Sequence, residues 1–276
     1  KEGEEGELLE EVGLDVAEAG IFSMKFIEKE IGFVDLIGNL LKNENLSLDD
    51  FQYLSQKNVN ALTGPEKVKI ANIRNAIPHP DTKTLMQKVI TKDDIQKYLN
   101  GTYDPELGGF VARACDGKHL KTFEDLYHGL RLDYKNTKFH IEDGSCGVIR
   151  FKSEKSSTAI IPTGGSYDSW DYPFTATGVT AGKNGRLGVP ELNFLKRIQF
   201  EEGFEIWEID NLGVEKLIAT YDEITKKFIL RFRVCRLRIG FLKKCNGFSM
   251  REKKLQSMSH LTMKLKKHLK MVVYMQ

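Results

Sequence analysis

Several residues with the right chemistry to cleave a glycosidic bond occur in order through the second half of this sequence. Arg150 lies in the run Gly147-Val148-Ile149-Arg150-Phe151. Thr175, Thr177 and Thr180 follow in a polar, β-like run, Glu191 sits in the next loop, and Glu205 and Glu208 share the run Phe204–Ile209. An arginine presents a planar fork of donors to a phosphate or carboxylate. Hydroxyls orient a sugar or an acid, and a carboxylate stabilises the cation that develops on a sugar as its leaving group departs. Trp170, Tyr172 and Phe174 could supply a wall on which an aromatic base stacks. In a regular strand Glu205 and Glu208 point to opposite faces, so at most one of them enters a given cleft. Glu208 is preferred because it sits at the centre of its run. Arg150 could equally be an ion-pair partner on a sheet face, and Arg131 with Asp133 could form a local pair that orders the stretch Leu130–Tyr134.

Other chemistries find less support. A nuclease needs a histidine or carboxylate cluster that moves a proton or holds a metal. His119, His128, His140, Glu142 and Asp143 show no such spacing, and no metal is expected. Gly164-Gly165 lacks the Gly-Lys-Ser/Thr of a phosphate loop. Cys115, Cys146, Cys235 and Cys245 form no CxxC pair, so free thiols are expected, with a Cys115–Cys146 disulfide as the alternative. His79, between Pro78 and Pro80, reads as a turn residue.

The elements that must position these residues divide the chain in three. Residues 1–104 read as a helical segment, 105–229 as a compact β-rich module with a mixed or antiparallel sheet, and 230–276 as a basic tail. The class is therefore α+β. In the front segment Met24, Ile27, Ile31, Val34, Ile37 and Leu41 recur at helical steps, predicting an amphipathic helix that stops near Asn43. Ser47 caps a second helix, and Thr63-Gly64-Pro65-Glu66 forms a capping box for a third, with Val68, Ala71 and Ile73 on its apolar side. Ile77-Pro78 must end that helix, and Thr91 opens a short one closing at Asn100-Gly101. In the middle, Gly109–Ala114, Gly147–Phe151, Phe204–Ile209, Leu217–Tyr221 and a stretch around Phe228 read as strands. Phe123–Leu130 reads as a short helix, and Asn184-Gly185 as a hairpin turn.

Within this middle piece, Gly109–Ala114, Leu130-Arg131-Leu132-Asp133-Tyr134, Gly147–Phe151, the run Pro173-Phe174-Thr175-Ala176-Thr177-Gly178-Val179-Thr180-Ala181 and Pro190-Glu191 follow one another. In that order they resemble the C-terminal modules of polymorphic toxins of Gram-positive bacteria, including the LXG type exported by a type VII system. The resemblance covers roughly Ala61 to Phe228. It implies a secreted antibacterial effector that acts in the cytoplasm of a competing cell, a cognate immunity protein, and front helices that end a pretoxin region. The layout is also similar to that of ADP-ribosyltransferase and NAD glycohydrolase toxins, which place an arginine early, a Ser/Thr-rich strand next and a Glu late. That similarity implies NAD as substrate, with Arg150 on the pyrophosphate, Thr175 and Thr177 orienting, Trp170 and Arg131 on the cofactor, and Glu208, Glu205 or Glu191 stabilising the sugar. The Ser-Thr-Ser and Glu-x-Glu patterns of those enzymes are absent, since residue 203 is glycine. A nuclease toxin and a non-catalytic binding or membrane-acting module are the alternatives.

Charge sharpens the division. The net charge of +2 hides 13 Lys/Arg against one acid, Glu252, in residues 231–276, which leaves 28 basic and 38 acidic residues in 1–230. Such a tail could contact nucleic acid phosphates or an anionic membrane, or it could be a disordered or non-native extension past the module. The chain opens at Lys1 rather than Met, as a fragment or processed product would, and no signal-peptide pattern opens it.

Overall fold

The computed structural model describes residues 27, 29–162, 179, 182–231 and 235–237. The described residues all lie within one compact unit, Lys1–Arg238, and residues 239–276, most of the basic tail, lie outside the described residues.

The front helices start where their caps place them. Helix α1 spans Phe33–Asn43, α2 Leu48–Gln56 and α3 Gly64–Asn75. Ser47 and Thr63 each accept the N–H of the residue three positions on, while Asp50 and Glu66 reach back to the cap N–H groups. Two otherwise unpaired donors are thereby satisfied at each helix start, a contribution of about 1 kcal/mol per cap. Phe33, Ile37, Leu41, Phe51, Leu54, Ile70 and Ile73 share one buried cluster. The expected stripe through Ile31 and Val34 is not continuous. Gly32 is extended at the N-cap of α1, so the face turns there, leaving Ile31 63% exposed while Phe33 is fully buried. In α3 the buried residues are Ile70 and Ile73, and Val68 faces out.

Among the described residues, eight strands form one antiparallel sheet: β1 Met86–Ile90, β2 Glu106–Arg113, β3 Ser145–Phe151, β4 Leu192–Gln199, β5 Glu205–Asp210, β6 Val214–Asp222, β7 Lys227–Leu230 and β8 Cys235–Leu237. The order is β4-β2-β1-β3-β5-β6-β7, with β8 also paired to β6. The protein is thus α+β, with N-terminal helices followed by a β-rich module. Strand β1 lies before residue 104 and is nevertheless the strand between β2 and β3, so the sheet draws on both sides of the boundary expected there. Helix α4, Lys92–Leu99, follows β1 directly, capped by Thr91 and Asp94.

The sheet curls. Phe200, just past β4, meets Phe228 of β7 at 5.3 Å and Tyr221 of β6 at 5.4 Å between ring centroids, although these strands stand at opposite ends of the order. Tyr98 of α4 lies 5.3 Å from Phe200, against the same cluster as Met86, Ile149, Phe151 and Phe204. The other face buries Val148, Trp207, Ile209 and Leu217 against Phe123 and Leu126 of α5, Phe123–Gly129. Residue alternation along β3 and β5 assigns each side chain to one of these two faces. Gly213, with φ +74, closes the β5–β6 turn, where the Asp210 carboxylate accepts the N–H groups of Leu212 and Val214.

Candidate functional site

Arg150 and Glu205 are register partners on β3 and β5, on the face that carries Trp207. The Trp207 indole N–H donates to Glu205 Oε2 at 2.8 Å, and the Arg150 guanidinium lies 5.1 Å from the Trp207 ring centre. Burial raises the Glu205 carboxyl above the usual range, against the opposing influence of the indole hydrogen bond and the Arg150 charge. The guanidinium is held by Glu215 of β6, Nη1 to Oε2 at 3.1 Å and Nη2 to Oε1 at 2.8 Å, and neither side chain has exposed surface. Arg150 is therefore an ion-pair partner inside the sheet's packing. The expectation that it anchors a pyrophosphate does not agree with this geometry, because its fork already holds a carboxylate in a place no solvent reaches.

Glu208 stands on the opposite face of β5. It accepts the Ser145 hydroxyl at 2.8 Å and lies 3.9 Å from the Lys92 ammonium. Glu205 and Glu208 thus point apart, as strand alternation requires, and Arg150 shares a face only with Glu205. Thr175, Thr177 and Trp170 lie outside the described residues, as do Thr180, Tyr172 and Phe174.

Glu191 lines a cavity of about 560 Å³ between the β1–β2 strands and the connection that follows α5, within the size range of small-molecule sites. Phe110, Leu132, Tyr134 and Phe139 give it apolar and aromatic walls, and Lys88 also borders it. Glu205 and Glu208 do not line this space. Arg131 acts on its wall. It is buried, adopts φ +52, and donates to Asp133 at 2.9 Å, while Lys183 holds the other Asp133 oxygen at 2.8 Å. That local pair orders the stretch whose Leu130, Leu132 and Tyr134 form one side of the cavity. Sequence reading missed Lys88. Its one local signal was a lysine amid apolar neighbours, and that pattern is common on strand faces.

The histidines stay apart. His119 Nε2 bonds the Leu187 carbonyl at 2.8 Å, and His128 lies 3.3 Å from the Asn184 side-chain amide. Among the described residues no group of three or more His, Cys, Asp or Glu is placed to share a metal ion, and no helix is long and apolar enough to cross a membrane. Cys115 and Cys146 are buried free thiols, and burial pushes Cys115 up to about 12, far from a reactive thiolate. Asn184 and Gly185 both have positive φ, the turn chemistry their sequence predicts, with Val179 bridging to Pro190 beyond them. No family model, curated protein or solved structure matches this chain.

Proposed function

We propose that this chain is a secreted antibacterial toxin effector whose module consumes NAD, as a transferase or a glycohydrolase, in the cavity that Glu191 lines. The observation that carries the proposal is that Glu191, one of the three carboxylates the sequence suggests, borders a space of about 560 Å³ with aromatic walls. Tyr134 and Phe139 would face the nicotinamide or adenine ring, and Lys135 at the same cavity would offer a cation to the pyrophosphate. The Glu191 carboxylate would stabilise the oxocarbenium-like sugar as nicotinamide leaves. Export, action in the cytoplasm of a competing cell, and a cognate immunity protein rest on the sequence resemblance. A contact of residues 231–276 with nucleic acid or an anionic membrane would rest instead on their charge, 13 Lys/Arg against one acid.

The test is release of free nicotinamide from NAD by the purified protein, with Glu191→Gln and Glu208→Gln in parallel. Glu191→Gln should lower release by about 100-fold or more, the scale of losing one transition-state-stabilising group. Glu208→Gln should leave release within a few-fold of the parent. No release, with or without a cell extract, would overturn NAD consumption. Loss of RNA or plasmid integrity in that extract would favour a nuclease, and growth arrest without either would favour a binding or membrane mechanism.

A further inference from the structure

Strands β1 and β2 pair only at Met86↔Arg113 and Gln87↔Ala112. Beyond Gln87, β1 keeps β3 as its partner through Ile90, and β2 keeps β4. The parting has a local cause. The β2–β4 register shifts between Leu107 and Gly109, Gly109 has φ +74, and a Cβ on Gly108 would sit 2.8 Å from Arg197 Cγ. The extra residues of that irregularity lie on β4, between Ile198 and Phe194, and β2 itself departs from regular strand geometry at the left-handed Gly109, where it parts from β1. Lys88 spans the gap. Its Nζ donates to the Phe110 carbonyl at 3.0 Å, where a ladder N–H would otherwise be, and both residues border the cavity described above.

We propose that the Lys88 amine is a covalent site for an aldehyde or ketone ligand seated in this cavity, which it captures as an imine. The nitrogen lone pair attacks the carbonyl carbon and the C=O pair moves to oxygen. The resulting carbinolamine then loses its hydroxyl and a nitrogen proton as one water, leaving a C=N bond. No oxidant or reductant is needed. The Phe110 carbonyl suits the attacking step, because it accepts an N–H of the neutral amine and so fixes the nitrogen without occupying its lone pair.

The surroundings enlarge the share of that neutral form. Burial, helped by the Arg197 charge on β4 and opposed by Asp94 on α4, pushes the Lys88 ammonium down to about 8. Lys135 and Glu191 are the other charged groups bordering the cavity. At about pH 7.5 an amine of pKa about 8 is roughly a quarter neutral, against about a thousandth for an ordinary lysine. Desolvated amines of this kind are how lysine becomes a carbonyl nucleophile. The inference needs only the cavity and the amine, and does not rest on NAD consumption.

The experiment treats the full chain with 4-hydroxybenzaldehyde and sodium cyanoborohydride from about pH 6 to pH 9, then maps adducts by peptide mass spectrometry. One adduct is expected on the peptide carrying Lys88, forming at least about tenfold faster than on exposed lysines such as Lys42 and Lys227, with a rate midpoint near 8. Lys88→Arg should lose that adduct and keep the slow surface ones. Labelling of exposed lysines that spares Lys88, or Lys88 labelling no faster than theirs, would overturn the proposal. Nicotinamide release, measured separately, can fail or succeed without altering either outcome.

Discussion

Arg150 and Glu215 meet in a two-point ion pair across β5, at 3.1 and 2.8 Å, with neither side chain exposed. The pair lies against Trp207, so it is part of the packing of the sheet's α5-covered face. Removing either member strands the other charge in a place water does not reach. Arg150→Met or Glu215→Leu alone should therefore cost about 3–5 kcal/mol, and the double variant should lie closer to the parent than either single one. Urea unfolding of the four proteins measures this. Single variants as stable as the parent would show that the buried charge finds another partner.

One buried carboxylate ties the start of α1 to the end of β2. Asp116 accepts the Phe33 N–H at the start of α1 at 2.9 Å, and the Arg113 Nε and Nη2 at 3.0 and 2.6 Å. The approach is so close that a Cβ on Gly32 would lie 2.0 Å from the Cys115 carbonyl oxygen. Backbone cannot yield as a flexible side chain can, so Gly32→Ala should displace α1 at a cost of about 1–3 kcal/mol. Amide exchange should quicken at Phe33 and Ile37 well before it does in β3 and β5. Unchanged protection at Phe33 would contradict the tight docking.

What the sequence made legible was local. Ser47, Thr63, Thr91 and Thr122 each cap a helix through a partner three residues on, so a four-residue window contains the whole device. The opposite facing of Glu205 and Glu208 follows from strand alternation alone. Strand β1 was not legible, because five residues with Gln87 and Lys88 at their centre do not alternate cleanly. Its place between β2 and β3 is fixed by partners far along the chain. Strand β4 hides likewise, because its register shift against β2 breaks the period. The Arg150 partner was out of reach for the same reason: Glu215 is 65 residues away, and only the β3-β5-β6 order brings the two together. The cavity beside Glu191 depends on where β1 and β2 separate, which no single segment records.

The third helix carries a pH-sensitive start. Lys57, at 2.7 Å, and the Thr63 N–H, at 2.8 Å, hold the Glu66 carboxyl down to about 2. A folded-state value below the ordinary one means its contribution is fully present above the usual glutamate range and is lost as pH falls toward about 2. The protection of the Glu66 and Lys67 amides, taken relative to the intrinsic exchange rate at each pH, should fall across that acid window. Glu66→Gln should flatten the dependence, because it cannot carry the charge that Lys57 pairs with. The same pH profile in parent and variant would remove Glu66 from the account.

Glu205 should behave in the opposite sense. Burial raises its carboxyl above the usual range, so over the window between the ordinary and the raised value the folded protein holds a proton that the unfolded chain has released. Stability from this group is therefore greater below that window and declines as pH rises through it. Trp207 reports the event directly, since its indole N–H donates to Glu205 Oε2 at 2.8 Å. With Trp170→Phe silencing the other tryptophan, Trp207 emission should titrate with a midpoint above the ordinary glutamate value. Glu205→Gln keeps an oxygen for the indole and never ionises, so it should abolish the transition and leave the fold at neutral pH at least as stable as the parent. A midpoint in the ordinary range, or a transition that persists in the Gln variant, would place the titrating group elsewhere.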